Sequence, residues 1–332
     1  VAAARERVRL AVLNDYQNVA LRMADWSAVE DLASVTVFDK AFATVDEFVR
    51  ALHPFAILCV MRERQPFDRA LLQRMPNLRC IVSTGQGNRA IDLDAAAQCG
   101  VLVCGTELGP SREATAELAF GLLLAAARPI LQEDRAIRAG GWQVGLGTLV
   151  HGKTLGILGL GGIGRMVARM GQAFGMRIIA WSQNLDGDAA RACGVEAVGR
   201  DELFARSDFL SVHVLLSDRT RGLVGARELA LMKPTAVLVN TARGAIVDEP
   251  ALIDALRSGR IACAALDTFE QEPLPADHAL RSLPNTILTP HIGYASRETY
   301  EIYFRGTVEA VLGYCRGAPI RPLNQPRPAD GR

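Results

Sequence analysis

Four side chains in the second half of the chain stand where a short apolar run gives way to polar residues. They are Arg243 after VLVNTA, Asp267 and Glu272 in LDTFEQEP, and His291 after TILTP. Such runs read as buried strands, so each residue falls at a strand's carboxyl end, where open α/β sheets bind their ligands. A guanidinium can polarise a carbonyl, hold it in plane and pair a neighbouring carboxylate. An imidazole titrates near neutrality and can deliver a proton to the carbonyl oxygen as hydride reaches the carbon. A carboxylate on the far ring nitrogen fixes the tautomer and favours the charged form. Arg243, Glu272 and His291 are therefore the candidate catalytic set for reducing a carbonyl, or for the reverse. Singly, a histidine after a strand or a glutamate before proline also serves ordinary structure; the conjunction points to chemistry.

That chemistry needs a hydride carrier, and Lys153–Ser182 has the order a dinucleotide requires. Leu155–Leu160 reads as a buried parallel strand. Gly162–Phe174 carries Ile163, Met166, Val167, Met170 and Phe174 at helical spacing, and Met176–Trp181 is the next strand. Between strand and helix, Gly159, Gly161 and Gly164 complete G-x-G-x-x-G: one glycine for the tight turn, one for close approach of a pyrophosphate, one for helix–strand packing. The phosphates would sit on the helix N-terminus. The expected cofactor surface at this turn comprises Gly159, Gly161, Gly162, Ile163 and Gly164, then Ser182. NAD enzymes place an acid about 20 residues past the glycines to hold the ribose 2′-hydroxyl. Here that place is Ser182, followed by Gln183 and Asn184, while Asp186 and Asp188 read as loop and helix-start residues. The cofactor is thus NAD or NADP.

The first hundred residues alternate strands (8–13, 35–38, 55–61, 78–82, 101–104) with helices (20–31, 44–52, 67–75, 93–99), the pattern of a doubly wound parallel sheet. Thr44 and Glu47 form a capping-box signature. In this region the loop STGQGNRAID (83–92) reads either as an ordinary βα connector or as a turn whose backbone N–H groups face an anion. Arg62 ends a strand and reads either as a solvated arginine or as a substrate contact. Residues 113–128 form a helix apolar enough to be buried on several sides, and 139–152 is glycine-rich and irregular. Beyond Ser182 the alternation resumes: helices at 188–193, 201–205, 226–232 and 250–258, and strands at 196–198, 209–214, 236–240, 261–266 and 286–288. A final amphipathic helix, 297–316, has no strand after it and is expected to return to the first domain, before a proline-rich tail frayed at its ADGR end. The expected fold is α/β with two doubly wound parallel-sheet domains: a Rossmann cofactor domain (107–294) inserted into a discontinuous flavodoxin-like substrate domain (1–106 and 295–332).

Composition narrows the classes. With 37 basic against 36 acidic residues and a net charge of +1, the chain lacks the basic excess of a nucleic-acid binder. No apolar run reaches 18 residues and VAAARERVRL is no signal peptide, so the reading is a cytoplasmic protein with no membrane partner. Seven scattered cysteines, mostly within apolar runs, read as reduced core thiols, and no His or Cys spacing suggests a metal.

These segments resemble the D-isomer-specific 2-hydroxyacid dehydrogenases over nearly the whole chain. The carriers are MRERQPF, STGQGNRAIDLDAAA, ATAELAFGLLLAAAR, GKTLGILGLGGIG, SVHVLLSDRTRGLV, LMKPTAVLVNTARGAIVDE, LDTFEQEPLPADHAL and NTILTPHIG, the last three together being highly specific. The resemblance implies that Arg243 binds the substrate carboxylate and carbonyl, that His291 is the acid/base and that Glu272 is its partner. It further implies that Asp267 contacts the nicotinamide carboxamide, with His213, Thr241, Ala242 and Gly293 completing the cofactor surface, and that Gln86 and Gly87 cradle the substrate carboxylate. A small 2-oxo or 2-hydroxy acid as substrate, cofactor in an interdomain cleft that closes on binding, and a homodimer through the cofactor domain also follow from it. Departures are Asn88-Arg89-Ala90 where the family usually has Y-D-N, and Leu215, two residues after His213, where it usually has proline. Two rivals share the scaffold: a formate- or phosphite-type dehydrogenase, against which Glu272 counts since formate enzymes usually carry glutamine there, and a nicotinamide-sensing corepressor-like binding protein.

Overall fold

Apolar runs alternating with amphipathic stretches build two parallel sheets. The computed structural model describes residues 7–326, and the chain divides into two compact units, Val1–Pro110 with Ser296–Arg332, and Ser111–Ala295. Residues 1–6 of the N-terminal stretch and the ADGR end lie outside the described residues.

In the first unit β1 (Val8–Val12), β2 (Ala33–Val37), β3 (Ile57–Val60), β4 (Cys80–Ser83) and β5 (Leu102–Cys104) pair in the order β2-β1-β3-β4-β5, every pair parallel. This is the flavodoxin-like order. The crossovers are α1 (Ala20–Met23), α2 (Ser27–Glu30), α3 (Val45–Leu52), α4 (Arg69–Gln73) and α5 (Leu93–Gln98). β3 and β4 are buried at every residue, as parallel strands covered on both faces must be. Asp68 and Asp92 cap α4 and α5 by accepting from Leu71 N and Ala95 N, each at 2.8 Å.

Three local expectations change. The single helix expected over 20–31 is two short turns, because Ala24 is extended and the Asp25 carboxylate accepts from Ser27 N, turning the chain. Phe67 lies outside α4; its N–H donates to Ala90 O, its carbonyl accepts from Asp92 N, and the ring is fully buried. At Thr44 the hydroxyl accepts from Glu47 N as expected, but the Glu47 carboxylate returns to Ala43 N, one residue before the cap.

The second unit opens with α6 (Ser111–Ala127) and α7 (Ile130–Arg138). Then follow β6 (Thr154–Leu158), α8 (Gly162–Ala173), β7 (Arg177–Trp181), α9 (Gly187–Ala192), β8 (Glu196–Ala197), α10 (Arg200–Arg206), β9 (Phe209–Val212) and α11 (Ala226–Leu231). The unit finishes with β10 (Val237–Asn240), α12 (Glu249–Arg257), β11 (Cys263–Leu266) and β12 (Thr286–Leu288). Its seven parallel strands run β12-β11-β10-β9-β6-β7-β8. Strand order reverses at β6, whose neighbours are β7 and β9, so the crevice that takes ligands in such sheets opens at the carboxyl ends of β6 and β9. α6 packs on α8, β10, β11 and β12, which explains its apolar composition. Among the described residues no single helix is long and apolar enough to cross a membrane. α7 was not expected, although Pro129 at its start, Gly140 at φ +85° after its end and the Asp134–Arg138 pair are ordinary helix signals. At the amino edge of the sheet, Asp208 accepts from Thr154 N and Lys233 Nζ, both at 2.8 Å. Burial alone would raise its carboxyl, but these partners hold it below the usual range.

The last helix, α13 (Arg297–Cys315), belongs to the first unit and packs on β4, α1 and α2 with Tyr303 fully buried. Among the described residues no strand follows; instead Asn324 accepts from Val103 N at 2.8 Å and Leu323 N donates to Val103 O, fastening the tail along β5.

Candidate active site

β10, β11 and β12 are neighbours, so the residues just past their carboxyl ends are neighbours too. Past β12, His291 Nδ1 meets Glu272 Oε2 at 2.6 Å, and Glu272 Oε1 accepts from Phe269 N at 3.0 Å. With Nδ1 turned to the carboxylate, Nε2 is the nitrogen left for proton exchange; it has no hydrogen bond among the described residues. Burial alone would lift the Glu272 carboxyl, but the His291 hydrogen bond and charge, the Phe269 N–H and the Arg243 charge bring it below the ordinary range. It is therefore a carboxylate at neutral pH. His291 itself sits at φ +54°, a left-handed conformation costly for a non-glycine residue and concentrated at functional sites.

What holds that conformation is Asp267. It is fully buried at the end of β11; Oδ1 accepts from Thr289 Oγ1 at 2.6 Å and Ile292 N at 2.8 Å, and Oδ2 from Gly293 N at 2.8 Å. Burial raises its pKa despite these donors and the His291 charge. Three of about four acceptor positions are thus spent on the His291 loop. The sequence offered no sign of this bracing.

Arg243, past β10, is presented by a turn that Asn240 ties at both ends, accepting from Ala242 N and donating to Arg243 O, each at 3.0 Å. Gly244 is required there for space: a Cβ would overlap the Phe269 backbone. The close approach brings the Arg243 turn against the segment carrying Glu272. Asn240 and Gly244 stood in plain view in VLVNTARG, but their roles need the fold.

The glycine turn fits a dinucleotide. Gly159 takes φ +103°, and a Cβ on it would come within 2.7 Å of Val214 N, beside His213. A Cβ at Gly164 would overlap Gly159 O, whereas Gly161 faces open space where a pyrophosphate would approach. Gly162 and Ile163 begin α8. Ser182, just past β7, accepts from Leu160 N at 2.9 Å, so its hydroxyl lies against the turn. Asp186 caps α9 and Asp188 pairs with Arg191, so neither replaces the missing acid. His213 Nε2 lies 2.8 Å from Ser211 Oγ, and desolvation pushes its pKa down to about 4, leaving it neutral. Thr241 is almost fully buried just past β10, and its Oγ1 has no hydrogen-bond partner among the described residues. Gly293 packs on Asp267 and on Thr115 of α6.

In the first unit, two features read separately from the sequence come together. Arg62, at φ +51°, lays its guanidinium over Gly85 so closely that a Cβ there would overlap it. Arg62 N donates to Thr84 Oγ1 at 2.9 Å, and buried Asn88 donates to Arg62 O at 2.7 Å and Ser83 Oγ at 3.0 Å. Gln86 and Gly87 are exposed between them. Asn88, one of the departures from the usual loop, is thus its internal tie. Among the described residues no three metal-ligating side chains cluster.

A seat for a hydride carrier and a histidine–carboxylate pair at neighbouring strand ends equip a dinucleotide-dependent oxidoreductase. Similarity to known proteins says which. Residues 120–293 match the family model "D-isomer specific 2-hydroxyacid dehydrogenase, NAD binding domain". A glyoxylate reductase of Aeropyrum pernix is 46% identical over 259 residues, covering 75% of this chain and 77% of its own. A D-3-phosphoglycerate dehydrogenase of Archaeoglobus fulgidus is 37% identical over 83% of this chain, which spans only 52% of that enzyme. The crystal structure of a phosphoglycerate oxidoreductase from Vibrio cholerae superposes with a TM-score of 0.87 at 38% identity, covering 94% of this chain and 100% of that one. The chain belongs to the D-isomer-specific 2-hydroxyacid dehydrogenase family. It is a nicotinamide-dependent enzyme acting on small hydroxy or oxo acids, with the two-sheet α/β fold expected from the sequence.

Proposed function

We propose that the enzyme reduces a small 2-oxo acid, glyoxylate foremost, to the 2-hydroxy acid, of D configuration where the carbon is chiral, using NADH or NADPH. The observation that carries this is the 2.6 Å pair between His291, past β12, and Glu272, past the β11 that neighbours the strand of the Arg243 turn. When bound, the nicotinamide supplies hydride to the carbonyl carbon. Arg243 polarises the carbonyl and pairs the substrate carboxylate, and His291 Nε2 gives its proton to the oxygen as charge builds there. Glu272, on Nδ1, keeps the imidazole oriented with Nε2 left for the substrate oxygen. Thr241, Ala242, His213 and Gly293 line the nicotinamide side of the dinucleotide, and Asp267, beyond bracing the His291 loop, has one acceptor position left for the carboxamide. The exposed amides of Gln86 and Gly87, with Arg62, hold the substrate carboxylate. Glyoxylate is favoured because the glyoxylate reductase is the more similar relative and this chain spans most of it, against half of the phosphoglycerate enzyme. The test is NADH and NADPH oxidation with glyoxylate, pyruvate, hydroxypyruvate and 3-phosphohydroxypyruvate. Turnover is expected with both cofactors and fastest with glyoxylate; no turnover with any acid would overturn the reading.

We also assign a homodimer to the second unit. α7 and the irregular segment after it expose Ile130, Ile137, Trp142, Val144, Leu146 and Leu149, with Trp142 74% and Leu146 99% accessible. Large apolar side chains exposed together mark contact surfaces. Light scattering is expected to give twice the chain mass, and Leu146→Asp to shift it toward one. A wild-type mass of a single chain at micromolar concentration would refute the assignment.

A further inference from the structure

At the glycine turn the helix offers backbone donors and a dipole, but no side-chain cation of the turn's own: Gly161 and Gly162 are both exposed and both lack a side chain. The cation comes from another helix. Arg112, in the first turn of α6, is exposed, and its guanidinium Nη1 lies 3.8 Å from where a Gly162 Cβ would be, with Cδ at 3.9 Å. It is the side chain that occupies the direction Gly162 leaves empty. No ion pair or hydrogen bond to Arg112 occurs among the described residues. The next cation along, Arg165, also has no acid partner among the described residues and turns back onto the turn, Nε donating to Leu160 O at 3.4 Å. A guanidinium without a counter-ion, above the first residues of a 12-residue helix whose N-terminus faces the dinucleotide crevice, is placed for a phosphate. A Cβ at Gly162 would stand in ordinary van der Waals contact with the Arg112 side chain.

The geometry points to Arg112 as a phosphate clamp: we propose that it pairs the pyrophosphate of the dinucleotide and raises affinity for NADH and NADPH equally. The proposal rests on the reading that the dinucleotide lies on this turn. Because Arg112 projects from α6, whose Thr115 one turn on packs against Gly293, the same helix end touches both the phosphate turn and the His291 loop. Binding of the pyrophosphate would thereby also fix the helix turn behind Gly293.

The test is calorimetric titration of wild type and Arg112→Gln with ADP-ribose, NADH, NADPH and adenosine at two salt concentrations. ADP-ribose carries the pyrophosphate without nicotinamide, so binding is read apart from catalysis. Expected is a rise in Kd of about tenfold for ADP-ribose, NADH and NADPH alike, about 1.4 kcal/mol, with a shallower salt dependence. Adenosine affinity and unfolding temperature stay unchanged, and Arg112→Lys recovers part of the loss. An ADP-ribose Kd within twofold of wild type would overturn the proposal. So would a loss confined to NADPH, which would move the arginine to the 2′-phosphate, or an equal loss for adenosine, which would make its role structural. Wild-type protein that binds no ADP-ribose would sink the dinucleotide assignment itself rather than the role of Arg112 alone.

Discussion

His291→Ala lowers kcat for glyoxylate reduction at least ~100-fold, the usual scale for losing a general acid, while the Kd for NADH stays close to wild type. The split follows from position: His291 lies past β12 with Nε2 free of partners among the described residues, whereas the phosphate turn lies between β6 and α8. Arg243→Ala loses a similar factor, on the scale of removing one electrostatic contact to a developing oxyanion. Unlike the histidine variant, it also raises KM, since the guanidinium is assigned the substrate carboxylate as well. Glu272→Gln separates positioning from proton transfer. Glu272 has a depressed pKa, so it is ionised throughout the neutral range and its charge is lost only as pH falls below the ordinary carboxylate region. Its negative charge faces His291 Nδ1 at 2.6 Å. Replacing it by glutamine removes that charge but keeps an acceptor for the ring, so neutral-pH kcat falls and the acid-side loss of reductive kcat/KM that comes with protonation of Glu272 in the wild type is absent. An unchanged pH profile would reduce Glu272 to a spacer, and near-normal turnover by His291→Ala would remove the histidine from the chemistry.

Much of this was legible because strand ends announce themselves. A buried parallel strand is a short apolar run, and the first polar residues after it must lie at the sheet's edge; that logic set Arg243, Asp267 and His291 just past strand ends, where the structure has them, with Glu272 in the loop beyond. The glycine motif was legible for the same reason, and the structure makes the steric demand concrete at Gly159 and Gly164, while Gly161 faces open space. What stayed hidden was support. Asn240 reads as one more polar residue after a strand, Gly244 as flexibility, Asn88 as loop filler; each acts through a contact with a segment distant in sequence or through backbone that only the fold brings near. Asp267 was read toward the cofactor alone, and its three bonds to residues 289–293 could not be inferred from spacing. The left-handed backbones of Arg62 and His291 have no sequence signature, since neither is glycine or asparagine. Boundaries of short helices failed where one side chain decided them, as Asp25 does between α1 and α2.

Ser182→Asp makes the enzyme discriminate against NADPH by roughly 30- to 150-fold in kcat/KM relative to NADH, on the order of 2–3 kcal/mol for a like-charge clash. The argument begins with the register: Leu158 pairs with Trp181, so residue 182 follows directly beside the glycine turn, where the adenosine ribose of a Rossmann-bound dinucleotide lies. In the wild type this place holds a hydroxyl already accepting from Leu160 N, and the nearest acids are spent on capping α9 and pairing Arg191. Nothing there repels a 2′-phosphate, and nothing there selects for it, which is why both cofactors are expected to serve. A carboxylate keeps the bond to Leu160 N with one oxygen and offers the other to the ribose hydroxyls, so NADH is retained or improved while NADPH is driven off. The change also distinguishes two neighbouring roles. Arg112 is assigned the pyrophosphate common to both cofactors and residue 182 the sugar that differs between them. The substitutions act on separate groups, so in Ser182→Asp/Arg112→Gln their free energies add: the tenfold loss applies to both cofactors and the discrimination persists on top of it. Parallel behaviour of NADH and NADPH in Ser182→Asp would place the ribose elsewhere, and a double variant whose discrimination collapses would show that Arg112 and residue 182 address the same phosphate.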